Sequence, residues 1–126
     1  MPTASSPLIS DLAELVGDQY VIWRPEDLLV YEYDGSIDKA IPQAVVLPRN
    51  AEEVSAIIRI ANRHGAYIVA RGAGTSLSGG AVPLRNSVVL ALTRLTALIE
   101  VDAENRVAIV EPGMINLHLS EMVSHL

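Results

Sequence analysis

Apolar residues recur along this chain either at a spacing near 3.6 or in short unbroken runs, and the switches between the two delimit its predicted elements. Leu8, Ile9, Leu12, Leu15 and Val16 follow Ser5 and Ser6 at helical spacing and stop at Gly17, which predicts a helix over 7–16. Residues 25–30 predict a second, short helix, with Pro25, Glu26 and Asp27 in the first turn, where a missing N–H and negative charge are favoured. Ala44-Val45-Val46-Leu47 is an unbroken apolar run closed by Pro48, the pattern of a central parallel strand. The helical period then returns over 51–64. Asn50 is placed to cap that helix, Val54, Ile57, Ile58 and Ala61 share a face, and Gly65 is placed to end it. Tyr67-Ile68-Val69-Ala70 reads as a buried strand, completing a β–α–β unit with the right-handed crossover such units adopt. Residues 87–92 read as a further strand and Thr93-Arg94-Leu95 as a turn. Residues 97–101 and 106–110 flank the polar corner 102–105 as an antiparallel hairpin, which Glu111-Pro112-Gly113 breaks. Ile115, Leu119, Met122, Val123 and Leu126 return to helical spacing, with no capping glycine or polar exit after them.

Composition supports alternating helices and buried strands. Half of the 126 residues are hydrophobic, mostly Ala, Val, Ile and Leu, with no Phe and one Trp. A net charge of −6 and scattered Lys and Arg leave no basic surface for a phosphate backbone, so nucleic acid is not an expected partner. The absence of Cys excludes disulfides and thiolate metal sites and is compatible with a reducing compartment. No run approaches the roughly 18 apolar residues of a membrane span, and the N-terminus lacks a basic signal-peptide start. The expectation is a cytoplasmic protein that is not integral to a membrane. His64, His118 and His125 show no metal-ligand spacing and are expected to be surface or core residues.

The candidate chemistry lies in Arg71-Gly72-Ala73-Gly74-Thr75-Ser76-Leu77-Ser78-Gly79-Gly80-Ala81, directly after the predicted strand 67–70. Four glycines and three hydroxyl residues in eleven positions offer backbone N–H groups that can turn toward one anion, because glycine permits both φ > 0 and close backbone approach. Two familiar phosphate loops fail the test. The nucleotide-triphosphatase loop needs Lys and then Ser or Thr after its last glycine, whereas Gly79-Gly80 is followed by Ala81-Val82-Pro83. The dinucleotide fingerprint meets Leu77 at its third glycine, no acid ends the strand 88–92, and Pro83 forbids a helix running straight on.

A third pattern fits. The run 71–83, together with Tyr33-Asp34-Gly35-Ser36, Pro42, Val46-Leu47-Pro48, Glu52-Glu53-Val54 and Val110-Glu111-Pro112-Gly113, resembles FAD-linked oxidases with the p-cresol methylhydroxylase or vanillyl-alcohol oxidase type of FAD-binding domain. Within that family it looks most like the glycolate oxidase flavin subunit and D-lactate dehydrogenase branch. The resemblance covers roughly residues 28–126. It implies an α+β fold with an α/β-like first subdomain, in which the β–α–β unit is followed by a strand and a hairpin and the domain is incomplete at its C-terminus. Residues 1–40 would be a helical lead-in and 41–126 the first part of the FAD-binding domain.

By the same resemblance, Gly72, Ala73, Gly74, Thr75, Ser76, Leu77, Gly79 and Gly80 would contact the FAD pyrophosphate through backbone and hydroxyl groups. Arg71 could add charge-assisted bonds. Pro48 and the segment Glu111, Pro112, Gly113 would lie near the adenosine half, although Glu111 reads equally well as a strand-end carboxylate. Asp34 and Ser36 would lie at the front of the flavin domain, or form a polar turn capping the next element. Several relatives carry a flavin-linked histidine at the position of Thr75, so the FAD here is expected to be non-covalent. The resemblance further implies a 2-hydroxy acid substrate, an iron–sulfur electron-transfer partner and catalytic residues outside residues 1–126. The isolated chain is then expected to be inactive. A nucleotide- or phosphate-binding module without redox chemistry, or an inactive fragment of a truncated gene, are the alternatives.

Overall fold

The computed structural model describes residues 6–29, 41–73 and 83–126. Helix α1 (Pro7–Val16) leads through a 3-10 turn (Asp18–Tyr20) into strand β1 (Val21–Ile22) and the single helical turn α2 (Pro25–Leu28). Strand β2 (Ala44–Val46), helix α3 (Ala51–Arg63), strand β3 (Tyr67–Arg71) and strand β4 (Ser87–Ala91) follow, then the hairpin β5 (Leu98–Asp102) and β6 (Val107–Val110), and helix α4 (Asn116–Met122). The first four strands form one sheet in the order β1-β2-β4-β3, with β1 antiparallel to β2 and the other three parallel. The hairpin pairs antiparallel as a separate two-stranded sheet.

Strands β2 and β4 are buried because both faces of the sheet have a cover there. On one face Ala44, Val46, Val88 and Leu90 pack with Leu8, Ile9, Leu12 and Val16 of α1 and Ile57, Ile60 and Ala61 of α3. On the other, Val45, Val89 and Ala91 pack with Leu28 of α2. This is the period-2 alternation of a strand with two apolar faces. α1 and β1 therefore contribute to the same core as the segment that follows them.

The helix ends are set by local chemistry. Ser6 caps α1, its Oγ accepting from the Ile9 N–H at 3.4 Å, and Asn50 caps α3, its Oδ1 accepting from the Glu53 N–H at 2.8 Å. Past α3, Gly65 adopts φ +65°, which lets its own N–H reach the Asn62 carbonyl and the Ala66 N–H reach the Ala61 carbonyl. That pair of bonds closes the helix in a Schellman motif.

Some features go beyond the sequence reading or differ from it. β4 inserts between β2 and β3, so the two strands of the β–α–β unit are not neighbours. β3, expected to be buried, is an edge strand with Tyr67 62% exposed. On α3 the residue that turns inward is Ile60, and Ile58 is 40% exposed, because the buried stripe follows positions 53, 57, 60 and 61. Among the described residues, no helix is long and apolar enough to cross a membrane.

Candidate functional site

Because β2, β3 and β4 run parallel, their C-terminal ends lie on one edge of the sheet. The register aligns Val46 with Leu90 and Leu90 with Ala70. Two residues further along each strand come Pro48, Leu92 and Gly72, so two of the sequence-predicted contacts flank the end of the central strand. Arg71 closes β3, where its carbonyl accepts from the Leu92 N–H at 2.9 Å and its Nη2 donates to the Ala73 carbonyl at 3.3 Å. Gly72 has open space around the position of a Cβ and no positive φ. Among the described residues, neither backbone conformation nor packing asks for glycine there, which fits a position approached by a ligand. Gly74, Thr75, Ser76, Leu77, Gly79 and Gly80 lie outside the described residues.

Pro48 is fully buried, and the backbone on either side of it is tied down by three separate elements. The Leu47 N–H donates to the Tyr20 carbonyl at 2.9 Å. The Leu47 carbonyl accepts from Arg94 Nη1 at 2.8 Å. The Arg49 N–H donates to Glu53 Oε2 at 2.9 Å, while the Arg49 Nε meets Glu53 Oε1 at 3.1 Å. Glu53 thus serves the corner before its own helix as well as the helix dipole, and it is buried in doing so. The Arg94 guanidinium also lies over the Tyr20 ring, 3.5 Å from its centroid.

The third predicted segment reaches the same edge. The Gly113 N–H donates to the Leu95 carbonyl at 2.7 Å, and a Cβ on Gly113 would sit against the carbonyl oxygens of Leu92 and Leu95. Here glycine is required by the protein's own backbone. Glu111 is held by Ala97: its N–H donates to the Ala97 carbonyl at 2.9 Å, and its Oε2 accepts from the Ala97 N–H at 2.9 Å. The carboxylate extends the β5–β6 ladder by one pair, the geometry of a strand-end carboxylate. Pro112 is exposed between them.

The residues that sequence reasoning missed are Tyr20 and Arg94. One lies in a 3-10 turn and the other in a tight turn, and neither carries a local signal for a partner 27 or 47 positions away in the chain. The turn 92–95 contacts all three segments, through Arg71, Leu47 and Gly113.

The histidines stand apart from this edge. His64 Nε2 lies 2.7 Å from Asp11 Oδ2, and Arg63 Nη2 lies 3.5 Å from the same oxygen, so the end of α3 is tied to α1. The hydrogen bond from His64 is the first cause that holds the Asp11 carboxyl below its ordinary value of 3.8. His118 and His125 are exposed. Among the described residues no group of His, Cys, Asp or Glu could hold a metal. A cavity of about 630 Å³ lies between the hairpin and α4, lined by Val101, Val107, Leu119 and Val123 among others, away from the strand ends.

The sequence profile of the FAD binding domain family matches residues 42–125. The glycolate oxidase subunit GlcD of Escherichia coli strain K12 is 39% identical over 114 residues, an alignment covering 90% of this chain and 23% of that protein. The D-lactate dehydrogenase of Archaeoglobus fulgidus is 41% identical over 111 residues, covering 84% of this chain and 24% of that protein. The crystal structure of p-cresol methylhydroxylase with substrate bound superposes with a TM-score of 0.83 at 25% identity, over 94% of this chain and 24% of that one. The chain therefore spans about a quarter of the length of the relatives it matches.

Proposed function

The chain belongs to the FAD binding domain family, and we propose that it supplies the cofactor-holding part of a flavoprotein oxidoreductase that oxidises a 2-hydroxy acid of the glycolate or D-lactate type to the 2-oxo acid. The observation that carries this is the convergence of Pro48, Arg71-Gly72-Ala73 and Gly113 on one sheet edge, in a chain similar to a glycolate oxidase subunit and a D-lactate dehydrogenase. When bound, FAD supplies the hydride acceptor. The part played by this chain is to bind and orient it. Gly72 leaves room for close approach, Arg71 carries positive charge to the strand end, and the glycines and hydroxyls of 74–80 offer donors to the pyrophosphate. Thr75 brings an unactivated hydroxyl rather than an imidazole to the loop, which supports an FAD held there without a histidyl link. The substrate-oxidising residues and an iron–sulfur acceptor subunit belong to other parts of the assembly, and the location is cytoplasmic.

The test is a titration of the 126-residue chain with FAD, followed by flavin fluorescence with ADP as competitor. Saturable binding that ADP displaces only weakly supports the reading; equal affinity for ADP points instead to a general phosphate binder. In a preparation that retains FAD, Gly74→Val should abolish retention, because a branched side chain would occupy the space of the pyrophosphate. Acid precipitation should release all the yellow colour into the supernatant. Colour left in the pellet would show a covalent link.

A further inference from the structure

Three chain segments proposed to hold the cofactor are far apart in sequence, and one four-residue turn touches the anchor of each. Leu92 donates its N–H to the Arg71 carbonyl, Leu95 accepts from the Gly113 N–H, and Arg94 donates from Nη1 to the Leu47 carbonyl. The first two of these are backbone bonds that almost any residue could make. The contact to Leu47 depends on a side chain. It reaches across from the end of β4 to the residue preceding buried Pro48, and stacking on Tyr20 fixes its plane. Tyr20 in turn holds the Leu47 N–H through its carbonyl, so both polar backbone groups of Leu47 are fixed by a stacked pair. A guanidinium suits this task because it is flat enough to stack while donating in its own plane; an ammonium can donate but has no plane to stack.

We infer that Arg94 is a positioning residue for the cofactor edge: with Tyr20 it sets the distance of the Leu47-Pro48-Arg49 corner from the Arg71 and Gly113 segments, and so controls FAD affinity without itself needing to touch the cofactor. This rests on the FAD reading above. The bracket binds no ligand of its own. Its effect is that the corner is already in place before FAD arrives, so binding does not have to order it.

The experiment compares FAD dissociation constants by fluorescence titration for the unaltered chain, Arg94→Ala, Arg94→Lys and Ile57→Val, each with its thermal midpoint. Ile57→Val loosens the fully buried contact of α3 with the sheet and controls for lost stability. Arg94→Ala is expected to weaken FAD about tenfold or more, and Arg94→Lys to recover part of that, while Ile57→Val stays within about twofold of the unaltered chain. Arg94→Ala within twofold of the unaltered chain overturns the inference. So does an equal loss in Ile57→Val at an equal fall in midpoint, which would make Arg94 merely structural. Should Arg94→Ala fail to fold, Tyr20→Leu and Arg94→Lys decide, and unchanged FAD affinity in both overturns the bracket. If the unaltered chain binds no FAD, the proposed function falls and takes the inference with it; if it binds and the Arg94 variants match it, the inference alone falls.

Discussion

The four-stranded sheet and the β5–β6 hairpin are built from similar residues but occupy different surroundings. β4 reads Ser-Val-Val-Leu-Ala and is buried at all five positions. β6 reads Val-Ala-Ile-Val and has no buried position, and α4 beside it has none either. Ile99, Val101, Val107 and Ile109 are all exposed, as are Leu117 and Met122 of α4. The difference comes from layering. β4 is central, with α1 and α3 on one face and Leu28 on the other. The hairpin is a two-stranded ribbon, and such ribbons have little independent stability in water. Apolar sequence makes burial possible, and an adjacent layer is what provides it.

The largest expected effect tests the packed region. Leu12 is fully buried between α1 and the sheet, and Leu12→Ala should cost about 2–5 kcal/mol of global stability, whereas Ile109→Ala in the hairpin should cost under about 1 kcal/mol. Denaturant unfolding measures both. Equal costs would break the contrast and require a cover over the hairpin.

Gly113→Ala probes the joint between the regions. The new methyl would strike the Leu92 and Leu95 carbonyl oxygens, so the backbone after β6 must move off the turn, at a cost of about 1–3 kcal/mol. Amide exchange should show that loss as faster opening at Leu95, Gly113 and the hairpin, with Val45 and Val89 keeping the slow exchange of the global core. A uniform change across the chain would mean that the two regions open together. Glu111→Ala acts on the same joint more weakly. It removes the acceptor for the Ala97 N–H, a loss of about 1 kcal/mol confined to the foot of the hairpin.

The same contrast governs what could be read in the sequence. The bounds of α3 were legible to within a residue because its cap at Asn50 and its terminating Gly65 are local signals, although Ile60 and not Ile58 turns inward. The hairpin was legible for the same reason, its corner being closed by Asp102 accepting from the Asn105 N–H at 3.0 Å. The position of β4 between β2 and β3 was not, because it is set by pairing with partners 44 and 20 residues back in the chain. β1 was missed because its two residues gain strand geometry from pairing with β2, not from a local pattern. At the site, Arg71, Gly72 and Pro48 could be placed at strand ends from their flanking runs. Arg94 could not, since its importance comes from a carbonyl 47 residues away and a ring in a turn that precedes the sheet.

The smallest effects lie in two aspartates, one in each region. Asp11 joins α1 to α3, and the hydrogen bond from His64 leads the causes that lower its value. Asp102 lies in the hairpin corner and is lowered first by the side chain and then by the backbone of Asn105. In both, the folded chain favours the charged form, so the stabilisation is complete above the unfolded value near 3.8 and is lost as pH falls through the lower folded value. Both carboxylates are solvated, which keeps the effect small. They differ in what they couple: Asp11 links elements 53 residues apart, while Asp102 and Asn105 are three apart within one turn. Asp11→Asn should therefore flatten the acid limb of the global stability curve below about pH 4. Asp102→Asn should leave that curve in place and change only the exchange of hairpin amides, because a bond within one turn of a weakly held ribbon can be lost before the sheet unfolds. An equal change in the global acid limb for both variants would mean that the hairpin unfolds together with the sheet.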